Sequence, residues 1–469
     1  MYTMSICSLL LMLFSQSVLA QNNDYIEAEY LTKESKISAK YCFNHAPNYL
    51  RIESNSLADA LSHVTWSNFQ TTQNLKFRYR SVRLPKGQKG CLNYQVDVKK
   101  LSQPRGSKQL NQVHADSLVI TTDELLLSPS DQKYRSLPQI TIHHDQQIQV
   151  SAPWRLIKQS ATVTQFQIKP SPRYSEGYLA FAPLDQRNIQ MGKSRLRLDI
   201  MNGDHSKNND LIEDWVQTMA GSIVSVGQAF PLTELQILVI VTEGSGGVVP
   251  WGQVNRGGGQ GVLLVVNPQH GKHRLFADWT AAHEFSHLLT PYTPNDRWLS
   301  EGFASYHQNI TRLRVGLLDE ATAWSKLWAG FERGHKSANE HAAPNLKLAG
   351  RKNTMQMYWG GAVIALKADV ALQQQSHGRM NLSTALGELQ NCCLDTGRAW
   401  SARQLFTELD RITATDVFMT LYEQVVQKEP YPDYQYLLKS LGVKKNHYGQ
   451  IVLDDQAPLA HIRKKIANG

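Results

Sequence analysis

A chain of 469 residues is too long for one ordinary core, so two or three domains are expected. Hydrophobic residues make up 42% and charged residues 19%, which excludes both a disordered chain and a membrane bundle. The net charge is +9, but lysines and arginines read as scattered rather than packed among aromatics; this argues against a nucleic-acid partner and leaves a basic soluble surface, or attraction to anionic surfaces.

At the N-terminus, Ile6 to Phe14 is a short apolar run, Val18-Leu19-Ala20 supplies small residues, and Gln21-Asn22-Asn23-Asp24 is polar. This predicts a secretory signal over residues 1–20, although no Lys or Arg precedes the run. The run is too short to span a bilayer, and the later apolar stretches are strand-sized, so no integral span is expected after signal removal. The expected location is periplasmic or secreted, with an uncleaved N-terminal anchor as the alternative. Export permits a disulfide between Cys42 and Cys91. Cys392 and Cys393 are adjacent, and no Cys-x-x-Cys occurs, which argues against a thiolate zinc site.

Residues 21–200 show strand-like alternation, as in Leu75–Val82, Leu92–Val98 and Thr162–Ile168, punctuated by Pro, Gly, Asn and Ser. An antiparallel, sandwich-like β domain is expected there. The pattern then changes. Asn202-Gly203-Asp204 is turn-like, and Leu211, Trp215, Met219, Ile223 and Val226 recur at helical spacing. A buried strand, Leu235–Val241, is followed by a glycine-rich loop, Gly244–Gly259, and a second strand, Gln260–Val266. From Leu275 the chain reads as mostly helical, with helices over Phe276–Leu289, Arg297–Leu313, Gly360–Gln374, Ser401–Leu409 and Ala414–Gln427. The expected fold class is α+β: the β-rich domain, then a catalytic domain over 201–380 with a small sheet, and a helical C-terminal part over 381–469.

His283-Glu284-Phe285-Ser286-His287 carries the chemistry. Residues four apart share one helix face, so both imidazoles can grip one ion, and Glu284 projects into the same cleft as a proton acceptor. Pro291 ends this helix. A catalytic zinc takes three protein ligands and keeps an open position for water. The next helix begins near Asn295 or Asp296, which can cap it, and carries Trp298-Leu299-Ser300-Glu301-Gly302-Phe303. Leu299, Phe303, Tyr306, Ile310 and Leu313 form its core stripe, and Glu301 lies off that stripe. Glu301 therefore either faces solvent or, because the short loop makes the two helices neighbours, reaches the imidazoles. The glycine-rich loop lacks Gly-Lys-Ser/Thr and is not a phosphate cradle. Gly257, Gly258, Gly259 and Gln260 are either plain loop or a place where a substrate backbone pairs closely.

His-Glu-x-x-His followed by Trp-Leu-x-Glu-Gly-Phe-Ala-x-Tyr resembles the gluzincin metallopeptidases, nearest to the glycyl aminopeptidase family and more distantly the alanyl aminopeptidases. The resemblance implies a thermolysin-like catalytic domain and one zinc ion per chain held by His283, His287 and Glu301. It also implies that Glu284 is the general base. Tyr358, before Trp359-Gly360-Gly361-Ala362, matches the oxyanion-stabilising tyrosine of these families, although a packing role is the alternative. Pro432–Gly442 resembles the end of their catalytic unit. Three departures stand out. Thirteen residues lie between His287 and Glu301, fewer than usual. The aminopeptidases carry a Gly-x-Met-Glu-Asn strand whose glutamate holds the free amine, whereas the stretch compared with it, Gly257–Gly261, has no acid. The PDZ domain of the glycyl group has no room after Gly442. The expected activity is hydrolysis of peptide or protein substrates. An aminopeptidase, or a non-catalytic envelope binding protein that kept the fold, are the alternatives.

Overall fold

The computed structural model describes residues 24–469 apart from 69, 102–116, 130–138, 170–176, 202–207, 244–245, 257–258, 341–342 and 395–397. The expected signal over 1–20, the turn at 202–204, and Gly257 and Gly258 lie outside the described residues.

The N-terminal part is β-rich and encloses one core, from Ile26 to Phe181, shared by three sheets. The largest has eight strands, in the order Arg155–Gln159, Val163–Gln167, Gln139–His143, Tyr25–Leu31, Lys36–Phe43, Gly90–Asp97, Leu61–Ser67, Thr72–Asn74. Strand Gly90–Asp97 alternates buried and half-buried positions along its whole length, the period of a sheet with one face inward. The sheet is not wholly antiparallel as expected. Tyr25–Leu31 runs parallel to Gln139–His143, because the intervening chain crosses over through the other two sheets. Cys42 and Cys91 face each other on neighbouring strands and are bonded.

Leu75–Val82 is not one strand. Phe77–Arg78 and Ser81–Arg83 form a hairpin, with Tyr79 and Arg80 at its tip in the left-handed region (φ 48° and 57°). A two-residue turn keeps the alternation intact, so the period alone does not reveal it.

The five-stranded sheet of the catalytic part begins before the expected boundary at 200. Its order is Asp185–Met191, Ser194–Met201, Glu234–Val241, Gly261–Val266, Trp251–Asn255. Ser194–Met201, the helix Asn209–Ser222 and the parallel strand Glu234–Val241 form a βαβ unit, so 185–201 pairs with this sheet and not the first. Central strand Glu234–Val241 is buried on both faces, as its unbroken apolar run requires. The stretch 244–259, read as loop, contains the edge strand Trp251–Asn255, antiparallel to Gly261–Val266. Its polar and glycine residues hide it from a hydrophobic reading.

The remaining chain is mainly helical and forms one core running from Ile189 to Ile466, so the C-terminal part packs with the site rather than apart from it. The stretch Phe276–Leu289 divides into Lys272–Ala277, the motif helix Thr280–Ser286 and a tighter turn, His287–Leu289. Asp278 makes the break: its Oδ1 accepts from the Thr280 amide at 2.7 Å. The ligand helix is Arg297–Arg314. Asp296 stands at its N-cap position without capping it, since its Oδ2 accepts from the Ala402 amide of a later helix instead. The helix bearing Gly360 starts earlier than expected, at Thr354, and ends at Gln375. The helix Glu320–Glu340 fills part of the stretch that reads only generally as helical. Ala414 begins no helix; it is the left-handed C-cap of Ala402–Thr413.

Candidate metal centre

The motif helix is wholly buried, and it presents His283 and His287 toward the ligand helix. Their rings stand nearly perpendicular, with centroids 4.8 Å apart. His287 lies one residue beyond the α-helix, yet its amide still bonds the His283 carbonyl, so the four-residue offset keeps both rings on one face. Glu301, in the second turn of the ligand helix, meets both. Its Oε2 is 3.3 Å from His283 Nε2 and 3.4 Å from His287 Nε2. Of the two readings left open by the sequence, the one that brings Glu301 to the imidazoles is the one observed.

Each imidazole is also held from behind. His283 Nδ1 lies 2.8 Å from Gln308 Oε1, and His287 Nδ1 lies 3.0 Å from Ser300 Oγ. An amide oxygen only accepts, so His283 Nδ1 carries a proton toward Gln308, which leaves Nε2 as the nitrogen facing Glu301 and the one that would bind an ion. Burial opposes ionisation of Glu301, but the His287 charge and the hydrogen bonds from both imidazoles overcome it and hold this carboxyl well below its usual range. For His283, burial favours the neutral ring; the Glu301 hydrogen bond and the nearby Glu284 charge outweigh that and raise it.

The three donors fit a zinc ion. All ligand atoms lie within 4.8 Å of one another, and the two measured separations match the roughly 3.3 Å expected between donors about 2.0 Å from a tetrahedral centre. A second cluster, Cys392, Cys393 and Glu408, does not offer thiolates, because the two cysteines are bonded to each other.

A cleft of about 510 Å³ opens over this centre, lined by the edge strand from Trp251 to Val254, by Glu284, His287 and Glu301, and by Arg256, Arg297 and Tyr358. Glu284 is 8% exposed, and its Oε2 accepts from the Val254 amide at 2.8 Å. The strand approaches this closely because of Gly252: a Cβ there would come 2.7 Å from Glu284 Cγ. Tyr358 sits within its helix rather than before it, with its ring parallel to His283 at 5.8 Å. Burial, then the Glu301 charge and a hydrogen bond to it, push the Tyr358 phenol far above its usual range, so it stays a neutral donor.

Gly259 and Gln260 are not part of this cleft. A Cβ on Gly259 would strike the Pro153 carbonyl, so it packs on the β-rich part, and the Gln260 carbonyl accepts from Gln236. The strand that borders the cleft, Trp251-Gly252-Gln253-Val254-Asn255, likewise has no acid. Sequence reading missed Gln308, Ser300 and Arg256. Gln308 was findable: it lies seven residues after Glu301, on the same helix face. Arg256, whose Nη2 donates to the His287 and Thr290 carbonyls, gave no signal in the sequence. Asn309-Ile310-Thr311 and Asn381-Leu382-Ser383 match glycosylation sequons, but Asn309 is buried and Asn381 caps a helix through its side chain.

No protein-family model matches the chain, and no curated protein matches its sequence. Solved structures do match. The chain is similar to an aminopeptidase N family protein from Idiomarina loihiensis, with a TM-score of 0.69 and 13% identity over 93% of this chain and 82% of that one. It is similar to an M1 zinc metallopeptidase from Deinococcus radiodurans, with a TM-score of 0.55 and 14% identity over 88% and 94%. It is also similar to yeast LTA4 hydrolase, with a TM-score of 0.54 and 12% identity over 89% and 69%. The mixed α+β architecture, sheet-rich first and helical last, is thus the fold shared by the M1 zinc metallopeptidases.

Proposed function

We propose that the chain is an exported zinc peptidase, with one ion per chain, that uses Glu284 as general base. The observation that carries this is the convergence of His283, His287 and Glu301 beside the Glu284 carboxylate. The fold supports it: one M1 metallopeptidase sharing it is bound to a Tyr-Ser-Ala substrate. Bonded cysteines at 42–91 support export. Among the described residues, no helix is long and apolar enough to cross a membrane. The paired motif and ligand helices beside a small sheet support a thermolysin-like plan for the catalytic unit.

His283, His287 and Glu301 would hold the ion. When bound, zinc would polarise the scissile carbonyl and acidify a water molecule. Glu284 takes the proton from the attacking water at its carboxylate and returns it to the departing amine nitrogen. Tyr358 donates its hydroxyl proton in a hydrogen bond to the carbonyl oxygen as charge develops there. An extended substrate lies along the edge strand Trp251–Val254, which takes that role in place of Gly259 and Gln260.

Among the lining residues the only carboxylates are Glu284 and Glu301, both already engaged. Among the described lining residues a free amino terminus meets no third acid, which supports cleavage of internal or amino-blocked peptide bonds. The aminopeptidase reading rests on the fold shared with aminopeptidase N family proteins. Profiling a mixed library of free and amino-blocked peptides, with and without a chelator, separates the two. Chelator-sensitive cleavage of blocked peptides is expected. Cleavage confined to free N-termini would favour the aminopeptidase, and no cleavage at all would leave the binding-protein reading.

A further inference from the structure

Six cations, Lys76, Arg78, Arg80, Arg83, Lys86 and Lys89, fall between residues 60 and 96, a stretch with no Asp or Glu. The chain's net charge is only +9, so this one stretch holds a large share of it. The expectation that basic residues do not mix with aromatics fails here: Lys76-Phe77-Arg78-Tyr79-Arg80 alternates them. The hairpin makes that run a projecting tip. Tyr79 is fully exposed and Phe77 is 39% exposed, while Lys76, Arg78 and Arg83 face solvent. Two open hollows flank the hairpin, and the only acid lining either is Glu53.

The tip is built against local preference. Both turn residues adopt the left-handed conformation that Asn-Gly would take readily, and each non-glycine residue there costs about 1 kcal/mol. Arg80 braces the turn through its guanidinium, which donates to the Ile52 and Glu53 carbonyls. A bulky ring thus stands in water at a position where a small residue would be easier. Such strain, stored on a surface, points to a contact outside the chain.

We propose that the hairpin Phe77–Arg83 docks the protein on an anionic lipid surface. This goes beyond the peptidase reading and does not depend on it. The cations supply attraction to headgroup phosphates, and each strengthens binding roughly fivefold near such a surface. The two rings supply the second signal, since aromatic side chains settle at the boundary between headgroups and acyl chains. A soluble polyanion would use the cations and leave the rings in water. The rings are therefore what selects a bilayer over a nucleic acid or an acidic polymer.

The test is co-sedimentation of the full chain with vesicles of phosphatidylcholine alone and of phosphatidylcholine mixed with an equal share of phosphatidylglycerol. Binding is expected only to the mixed vesicles, and it should fall as salt rises. The double variant Lys76→Glu/Arg78→Glu should bind at least about twentyfold more weakly, because two attractions become repulsions. The double variant Phe77→Ser/Tyr79→Ser should also bind more weakly, while its melting temperature stays unchanged. Retained vesicle binding in the ring variant would replace the bilayer with general polyanion capture. Absence of wild-type binding to the mixed vesicles, or equal binding to both kinds, would overturn the proposal outright.

Discussion

At the residue scale, the site depends on groups that never touch substrate. Gln308 fixes the tautomer and tilt of His283, and it is itself nearly sealed from solvent. Replacing it with leucine removes the acceptor while keeping the bulk. Zinc affinity should then fall about 10- to 100-fold, as read by competition with a chelating dye, with the fold intact by circular dichroism. Unchanged affinity would show that packing alone aims the imidazole. In the β-rich part, Asp123 has its pKa pushed up to about 6 by burial, and its Oδ1 has no partner among the described residues. A raised carboxyl pKa means that ionisation is harder in the folded state. Stability should therefore drop as pH rises from about 4 to 6, through the span between the unfolded and folded values. Asp123→Asn should raise the melting temperature above that window and leave it unchanged below; an equal gain at both ends would contradict the assignment.

At the element scale, the ligand helix is seated by glycine. A Cβ on Gly361 would lie 1.9 Å from the Trp298 carbonyl, and one on Gly302 would lie 2.3 Å from the Gly361 Cα. These two helices touch backbone to backbone one turn from Glu301. Gly361→Ala should destabilise the protein by about 1–3 kcal/mol or more, despite alanine's better helix propensity, and should weaken zinc binding by shifting Glu301. A variant that melts higher and binds zinc normally would mean the helices do not pack this closely. The motif helix and the ligand helix were legible in the sequence because a four-residue offset and an apolar stripe are local signals. The edge strand Trp251–Asn255 was not. Its pairing to Gly261–Val266 and its contact with Glu284 are long-range facts, and the glycine that permits them reads locally as loop. The hairpin tip at Tyr79–Arg80 was hidden for a related reason: its residues are ones that hairpin turns usually avoid.

At the scale of the whole molecule, the β-rich part meets the five-stranded sheet of the catalytic part through a small buried cluster joining Val119, Ala180 and Ala182 to Met201, Leu238 and Leu263. Arg197, buried at this seam, donates to the Ala152 and Trp154 carbonyls. The sequence placed the boundary at 200 because alternation runs to Asp199; only the parallel pairing of Ser194–Met201 assigns that strand to the five-stranded sheet. Within the first part, the Cys42–Cys91 bond closes a loop of 49 residues. Its removal by paired serine substitution should lower stability by about 2–4 kcal/mol in urea titration, and an unchanged midpoint would show that the strand pairing alone suffices. The most direct test of the central claim is zinc-edge X-ray absorption on the purified full chain loaded with one equivalent of zinc. Two imidazole nitrogens with the remaining ligands oxygen, and loss of the signal in Glu301→Ala, are the expected result. Sulfur in the first shell, or the same spectrum in that variant, would contradict a centre made by His283, His287 and Glu301.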